Sequence, residues 1–387
     1  MKILMLGSGS YTSTLSIRLV ALGRHLGVLG WKVSMVLPSA DKYNDFTPEL
    51  HATLPDVTLV QPWQLATRSA MLNLVPYLFT SLWTILRARA DVIYLYKPTP
   101  ITILGLVPKL LLGKPVVLDL DDLGSEVMKA EQQSAFQYRL VAICERLALR
   151  FSTAIVVTST YLEAYVAKRY PSKPILLLPN GVEPADYMPP STKQPQNNIY
   201  YFGAINRLNL IETLLQALPD VVQAVPDVKI TIVGGGQALP DAKKLVRKLG
   251  VNKSVTFTGW INMLEAQKYA QFGDVAVCYQ PNTETVKAAS NMKVFQYMAM
   301  STVPLVSAVG DLSSYVQNGR AGVVAPPDDT SALSEQLASL LKDTERRTHL
   351  AQHARHLAET EYAWASRARN LNSFIRALHK AAKKDIP

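Results

Sequence analysis

Three stretches of the chain combine residue types that can bind or move a charged group. The first is Ser290-Asn291-Met292-Lys293, which opens a helical pattern over 291–300 ahead of the strand-like segment 301–307. A helix start presents unpaired backbone N–H groups and a partial positive charge. With Lys293 in its first turn, and Ser290 or Asn291 as cap, it would attract a diphosphate. Gln296, one turn beyond Lys293 and Met292, could hydrogen-bond a ribose diol. Taken alone, the same stretch also reads as an ordinary amphipathic helix.

The second stretch is Asp119-Leu120-Asp121-Asp122, where an apolar strand pattern ends. Carboxylates crowded at a strand exit are costly unless solvated, paired or functional. Three readings stay open: a helix cap with a solvated loop, a role in sugar or acceptor binding, and an Asp-x-Asp pair holding Mg²⁺ or Mn²⁺ under a nucleotide diphosphate. The third is a pair of glycine turns. Gly7-Ser8-Gly9-Ser10-Tyr11 follows the first strand pattern, and Gly234-Gly235-Gly236 follows a later one. Each is either a plain turn or a place where backbone N–H groups approach a ligand. Thr12 replaces the last glycine of G-x-G-x-x-G, and no acidic residue ends the second strand to hold an adenosine ribose, so a dinucleotide site is not expected. His349, His353 and His356 share a helix face that reads as solvated, outside any metal-ligand pattern.

Short apolar runs of strand length alternate with helical patterns along the chain. Strands are expected at 2–6, 31–37, 57–60, 91–96, 115–120, 154–158 and 175–178, then at 199–202, 229–233, 255–258, 275–278, 303–306 and 322–324. Helices are expected between them, among them 12–27, 71–90, 99–113, about 131–151, 160–169, 263–271, 292–300 and 311–317. This alternation implies parallel sheets covered on both faces by right-handed crossovers, an α/β class with doubly wound, Rossmann-like domains. The proline-rich, polar residues 185–198 read as a linker. The expected organisation is a domain at 1–184, the linker, and a second domain at 199–369, with a C-terminal helix at about 370–387 able to pack back on the first domain. Two such domains would face each other across a ligand cleft.

The chain has 387 residues, 48% hydrophobic and 18% charged, which is core-forming material for two domains and argues against disorder. The net charge of +10 is spread along the chain with no basic stripe interleaved with aromatics, so nucleic acid is not an expected partner. Cys144 and Cys278 read as buried thiols in a reducing compartment. No basic leader precedes the first strand, and no apolar run reaches the length needed to span a bilayer, so the expected location is the cytoplasm, at the inner face of the cell membrane. Within 71–90, Phe79, Leu82, Trp83 and Leu86 beside Arg87 and Arg89 suit either a peripheral membrane contact or a core helix.

With these pieces in order, the chain resembles a GT-B glycosyltransferase, and family 4 in particular. The resemblance rests on the early glycine loop, Leu178-Pro-Asn-Gly-Val182, Tyr201-Phe-Gly-Ala204, Ile232-Val-Gly-Gly235, Phe257-Thr-Gly259 and Lys293-Val-Phe-Gln-Tyr-Met-Ala299 before Pro304-Leu-Val306. It implies a nucleotide-sugar donor held mainly by the second domain, a glycan or lipid-linked acceptor entering from the first, retention of anomeric configuration, and no obligatory metal or other cofactor. Carried onto this sequence, the catalytic positions are Asp121, Lys293 and Arg207. The donor-binding ones are Gly7, Ser8, Gly9, Gly203, Gly235, Gly259, Asn291, Met292 and Gln296, and the acceptor-side ones are Ser10, Tyr11 and Asp122.

The chain departs from the family pattern at several of these places. Gln296 replaces the ribose-binding glutamate, and Ala288 replaces the glutamate eight residues earlier. The phosphate-binding Arg and Lys fall on Ala204 and Asn209, with Arg207 between them, and Asp121 stands where many relatives carry a histidine. Two other readings therefore accompany the transferase: a nucleotide-sugar-binding subunit without turnover, and a nucleotide-sugar epimerase whose acid and base would come from 119–122.

Overall fold

In the computed structural model the described residues are 1–8, 16–37, 57–60, 70–187, 197–205, 211–261, 265, 269 and 274–384. The chain divides into two compact units, Met1–Asn180 with Trp364–Pro387, and Gly181–Ala363.

In the first unit the apolar runs become seven strands: β1 Lys2–Leu6, β2 Lys32–Val36, β3 Val57–Val60, β4 Val92–Tyr96, β5 Val116–Leu120, β6 Ala154–Val157 and β7 Ile175–Leu177. They pair in parallel in the order β3-β2-β1-β4-β5-β6-β7. Every residue of β4, β5 and β6 is buried, as required of strands with helices on both faces. Helix Ile17–Val28 packs against helix Trp364–Lys384. Trp31 joins them by donating Nε1–H to Asn372 Oδ1 (2.9 Å), with the Arg376 guanidinium 5.4 Å from its ring.

The second unit repeats the pattern with β8 Asn198–Phe202, β9 Lys229–Val233, β10 Val255–Gly259, β11 Val275–Cys278, β12 Val303–Ser307 and β13 Val323–Ala325, all parallel, in the order β10-β9-β8-β11-β12-β13. Alternation along the strands feeds two cores. Ile199, Tyr201, Ile232, Val275 and Val277 pack toward helices Glu212–Ala224 and Thr330–Lys342. Tyr200, Val233, Ala276 and Cys278 pack toward helices Met292–Ala299 and Thr344–Thr360. In both sheets the chain order reverses beside the first strand, between β1 and β4 and between β8 and β11. In doubly wound folds ligands bind outside the carboxyl ends of the strands at that reversal.

Local chemistry moves some boundaries. The expected helix 99–113 begins later, as a 3-10 turn at Thr102–Leu106 running into helix Val107–Leu112. The Thr102 hydroxyl donates to Lys97 O (2.6 Å) and accepts from Thr99 N–H (2.8 Å), holding 97–102 as a turn. The expected helix at 131–151 is two, Gly124–Ala130 and Ala135–Phe151. Gln132 lies in the left-handed region, and Ser134 and Gln137 form a capping box at the second start. The helix expected at 263–271 and the start of the one expected at 12 fall largely outside the described residues, as does most of the linker at 185–198. The sequence division placed residues 364–369 with the second domain, whereas they belong to the helix of the first unit. Cys144 and Cys278 are buried free thiols. Among the described residues no helix is long and apolar enough to cross a membrane.

Candidate functional site

In the second unit, the β8–β11 reversal is built around one helix. Phe295 anchors Met292–Ala299 in an aromatic cluster with Tyr315 and Tyr362 (ring centroids at 4.8 and 4.7 Å). The buried Tyr297 hydroxyl accepts Phe202 N–H (3.1 Å), which ties the helix to the end of β8. Lys293, one turn earlier, is thereby carried to the strand exit. Its ammonium lies 5.1 Å from the Tyr201 ring centroid and so close to Gly203 that a Cβ on that glycine would stand 2.7 Å from Nζ. Gly203 has φ +152, a conformation that glycine adopts without cost.

The expected capping of this helix differs in detail. Asn291 occupies the N-cap position but its side chain makes no capping hydrogen bond, and the Ser290 hydroxyl pairs with Tyr315 Oη (3.1 Å). A helix start with Lys293 in its first turn suits a site for an external anion. Met292 stands in the first turn, half-buried. Gln296 is buried and donates Nε2–H to Tyr187 Oη (2.8 Å). Burial pushes the Tyr187 phenol up to about 12, against the pull of the Gln296 hydrogen bond. Arg355 fixes Tyr187 in turn, donating to its carbonyl (2.7 Å) and to Ala299 O. Ala288, in place of the family's glutamate, is buried at the end of the short helix Glu284–Ala288.

Beside Lys293 three strand exits are laced together. Gly203 N–H donates to Val233 O (3.0 Å), Ile205 N–H to Gly235 O (2.8 Å), and Gly234 N–H to Gly259 O (3.0 Å). A Cβ on Gly234 would lie 2.0 Å from Gly203 O, and one on Gly236 would lie 2.3 Å from Ile205 O. These two glycines are therefore explained by backbone packing. Gly235 differs: its face is covered by the Trp260 side chain, which is itself largely exposed. Gly259 has φ +73 with open space around it. Arg207 and Asn209 lie outside the described residues.

In the first unit a buried charge network occupies the strand exits. Asp119 in β5 accepts from Arg18 Nε (2.8 Å) and from the Tyr94 hydroxyl (2.5 Å). Arg18 also donates to Asn180 Oδ1 (3.2 Å) and Pro179 O (3.3 Å). Asn180 donates onward to Asp121 Oδ1 (3.2 Å), while Asp121 Oδ2 is held by Tyr96 (2.9 Å) and Lys97 (3.2 Å). Lys97, at φ +55 directly after β4, bonds Asp122 as well (2.8 Å). Burial drives the Asp119 carboxyl up, against Arg18 and Tyr94. At Asp121 burial acts the same way, but Lys97, Arg18 and the Tyr96 hydrogen bond outweigh it, and this carboxyl falls below its usual range.

The three acidic residues are thus divided. Asp119 pairs through Oδ2 with Arg18 and Tyr94. Asp121 and Asp122 share Lys97 at the edge. Gly7 has a packing reason of its own, since a Cβ there would meet Leu37 and Leu19 at 2.6 and 2.7 Å. Ser8 is half-buried after it, and Gly9, Ser10 and Tyr11 lie outside the described residues. Sequence reasoning missed Lys97, Arg18 and Tyr187, and read Asn180 only as part of the Leu178–Val182 motif. A signal existed for two of them: Lys97 is the first charge after an unbroken apolar strand, and Arg18 interrupts the apolar stripe of its helix.

The Arg18–Asp119 pair has a testable cost. Arg18→Met leaves a buried carboxylate without its cation and is expected to destabilise the protein by about 3–5 kcal/mol. Arg18→Met with Asp119→Asn, which still accepts from Tyr94, should recover most of that loss in urea unfolding. A single variant with the parent's midpoint would rule out an energetic role for the pair.

A family profile described as "Glycosyl transferase 4-like domain" matches residues 14–181, and one described as "Glycosyl transferases group 1" matches residues 196–343. The chain is 26% identical, over 242 residues, to a GDP-mannose-dependent alpha-(1-6)-phosphatidylinositol monomannoside mannosyltransferase of Mycolicibacterium smegmatis, a match covering 57% of this chain and 63% of that protein. Less than two thirds of that relative's length is therefore matched. In fold the chain is similar to sucrose-phosphate synthase from Thermosynechococcus elongatus (TM-score 0.76, 20% identity, 98% of this chain and 100% of the other). It is also similar to HepE of Anabaena in complex with UDP (TM-score 0.71, 17% identity, 97% and 100%). The paired parallel sheets, their strand orders and the two profile matches, which together span most of the sequence, lead to one assignment: the chain belongs to the GT-B glycosyltransferases and resembles family 4 among them.

Proposed function

We propose that the protein transfers a sugar from a nucleoside diphosphate sugar to a hydroxyl of a glycan or a lipid-linked acceptor, with retention of configuration. The observation that carries this reading is Lys293, in the first turn of helix Met292–Ala299, held against Gly203 on the carboxyl edge where the second sheet reverses. The HepE structure with UDP and the GDP-mannose named for the mannosyltransferase support a nucleotide-sugar donor.

In this reading the bond from the anomeric carbon to the diphosphate oxygen breaks and its electrons leave with the phosphate. Lys293, Arg207 and the N–H groups at Asn291–Lys293 stabilise that charge, so an obligatory metal is not required. The acceptor oxygen forms the new bond to the anomeric carbon, and its proton passes to the departing phosphate. Gly203, Gly235, Gly259 and Gln296 line the donor side. Asp121 orients sugar or acceptor at the first sheet's edge, and Asp122, Ser10 and Tyr11 are assigned to the acceptor. A carboxylate held below its usual pKa by Lys97 is a poor general base and a good fixed acceptor. The setting we assign is the cytoplasm, at the inner face of the cell membrane.

A thermal-shift screen across nucleotide sugars tests the donor half. Ligand at a hundredfold excess over its Kd should stabilise the protein by about 2.7 kcal/mol, with one base and sugar preferred. A broad panel without any shift would sink the reading. Ala288 in place of a donor-binding glutamate favours a second reading, a donor-binding subunit without turnover. Selective binding with no product across a wide acceptor panel would establish it.

A further inference from the structure

The helices on one flank of the first unit leave apolar rows uncovered. On Ala135–Phe151, the residues Phe136, Leu140, Ile143 and Leu147 are exposed, Phe136 by 76%. Their spacing (i, i+4, i+7, i+11) is a single helix face. The exposed Arg139, Arg146 and Arg150 run beside that row. The helix's one acid, Glu145, is buried and accepts Ser125 N–H (2.9 Å) and the Ser125 hydroxyl.

The neighbouring helices repeat the arrangement. Helix Ala70–Arg87 contains no acidic residue and exposes Phe79 and Trp83, with the Arg87 guanidinium 4.1 Å over the Trp83 ring. Helix Val107–Leu112 exposes Leu110, Leu111 and Leu112 between Lys109 and Lys114. All three helices contact the same 3-10 turn, Thr102–Leu106, which gathers them around one element. A monomeric protein rarely leaves apolar rows of this extent facing water.

We infer that this flank is a docking surface for an anionic lipid bilayer, with Ile143 and Phe136 entering the interface and Arg139 and Arg146 meeting lipid phosphates. The charge pattern selects this occupant. An apolar row bordered by arginines, with its one acid turned inward, matches a negatively charged surface that also accepts apolar groups. A second copy of the chain would bring Arg139, Arg146 and Arg150 against their own kind. The inference deepens the acceptor half of the proposed function, since a lipid-linked hydroxyl lies at such a surface. It stands apart from the donor half.

The test is co-sedimentation of the full chain with vesicles of phosphatidylcholine and of phosphatidylcholine mixed with phosphatidylglycerol. The parent should bind the mixed vesicles and leave the neutral ones, with binding weakened by salt. Phe136→Ser/Ile143→Ser and Arg139→Glu/Arg146→Glu should each lower the partition coefficient at least tenfold. Because all four side chains are exposed, both variants should keep the parent's unfolding midpoint and its donor-induced thermal shift, which separates this proposal from the donor reading. Parent-like binding by both variants would overturn the inference, as would equal binding to the two vesicle types. So would a concentration-dependent dimer, seen in sedimentation velocity, that the serine variant abolishes.

Discussion

Gly234→Ala is expected to destabilise the second unit by on the order of 3–4 kcal/mol, a loss usually confined to buried-core damage. The cause is backbone against backbone. The new Cβ would sit 2.0 Å from Gly203 O at a residue with φ +131, and neither group is the mobile end of a side chain. Relief requires parting the exits of β8 and β9, which also carry the Gly203 N–H to Val233 O hydrogen bond. In a unit of this size the thermal midpoint should fall by roughly 6–16 °C. Gly236→Ala should behave similarly, because its Cβ meets Ile205 O at φ +148. Gly235→Ala supplies the contrast: its Cβ meets only the exposed Trp260 ring, which can swing away, so the cost should stay below about 1 kcal/mol. Calorimetry on the three variants decides the point, and a Gly234→Ala protein melting with its parent would refute the packing argument.

The largest functional effect is expected at Lys293. Lys293→Ala should lower kcat/KM by about 10²–10³, the usual consequence of removing one group that stabilises charge developing in a transition state. It should also abolish the donor-induced thermal shift while leaving the ligand-free midpoint close to the parent's. Lys293→Arg should rescue only in part. The ammonium is already so close to Gly203 that the broader guanidinium cannot occupy the same place without moving the β8 exit. The alanine variant with parental kcat/KM and an intact donor shift would remove Lys293 from the mechanism.

These two expectations also show which features the sequence made legible. Strand positions were readable because parallel strands buried on both faces are written as short unbroken apolar runs, such as Val92–Tyr96 and Val116–Leu120. Lys293 was readable because it stands in a local motif, at the start of a helix between two strands. The triple glycine at 234–236 was visible as a turn, but its reason was not. That reason is a carbonyl 31 residues away in sequence, delivered by strand pairing. The Arg18–Asp119 pair, separated by 101 residues, leaves no local trace beyond a charge in an apolar stripe. The capping prediction was met in position: Asn291 is the N-cap residue, though without a side-chain capping bond, and the Ser290 hydroxyl accepts from Tyr315 of a later helix, a contact with no local trace. The split at 131–135 was recoverable, since Ser134 and Gln137 have the spacing of a capping box.

The return of helix Trp364–Lys384 to the first unit sets an order of events during synthesis. The second unit is one continuous segment, Gly181–Ala363, so every part of its core has been made before the ribosome reaches Trp364. The first unit, although it is started earlier, must wait with the partner face of helix Ile17–Val28 uncovered until that last helix emerges. The nascent protein therefore completes its later half first, and its earlier half spends the interval as a client for whatever shields apolar surface at the exit tunnel.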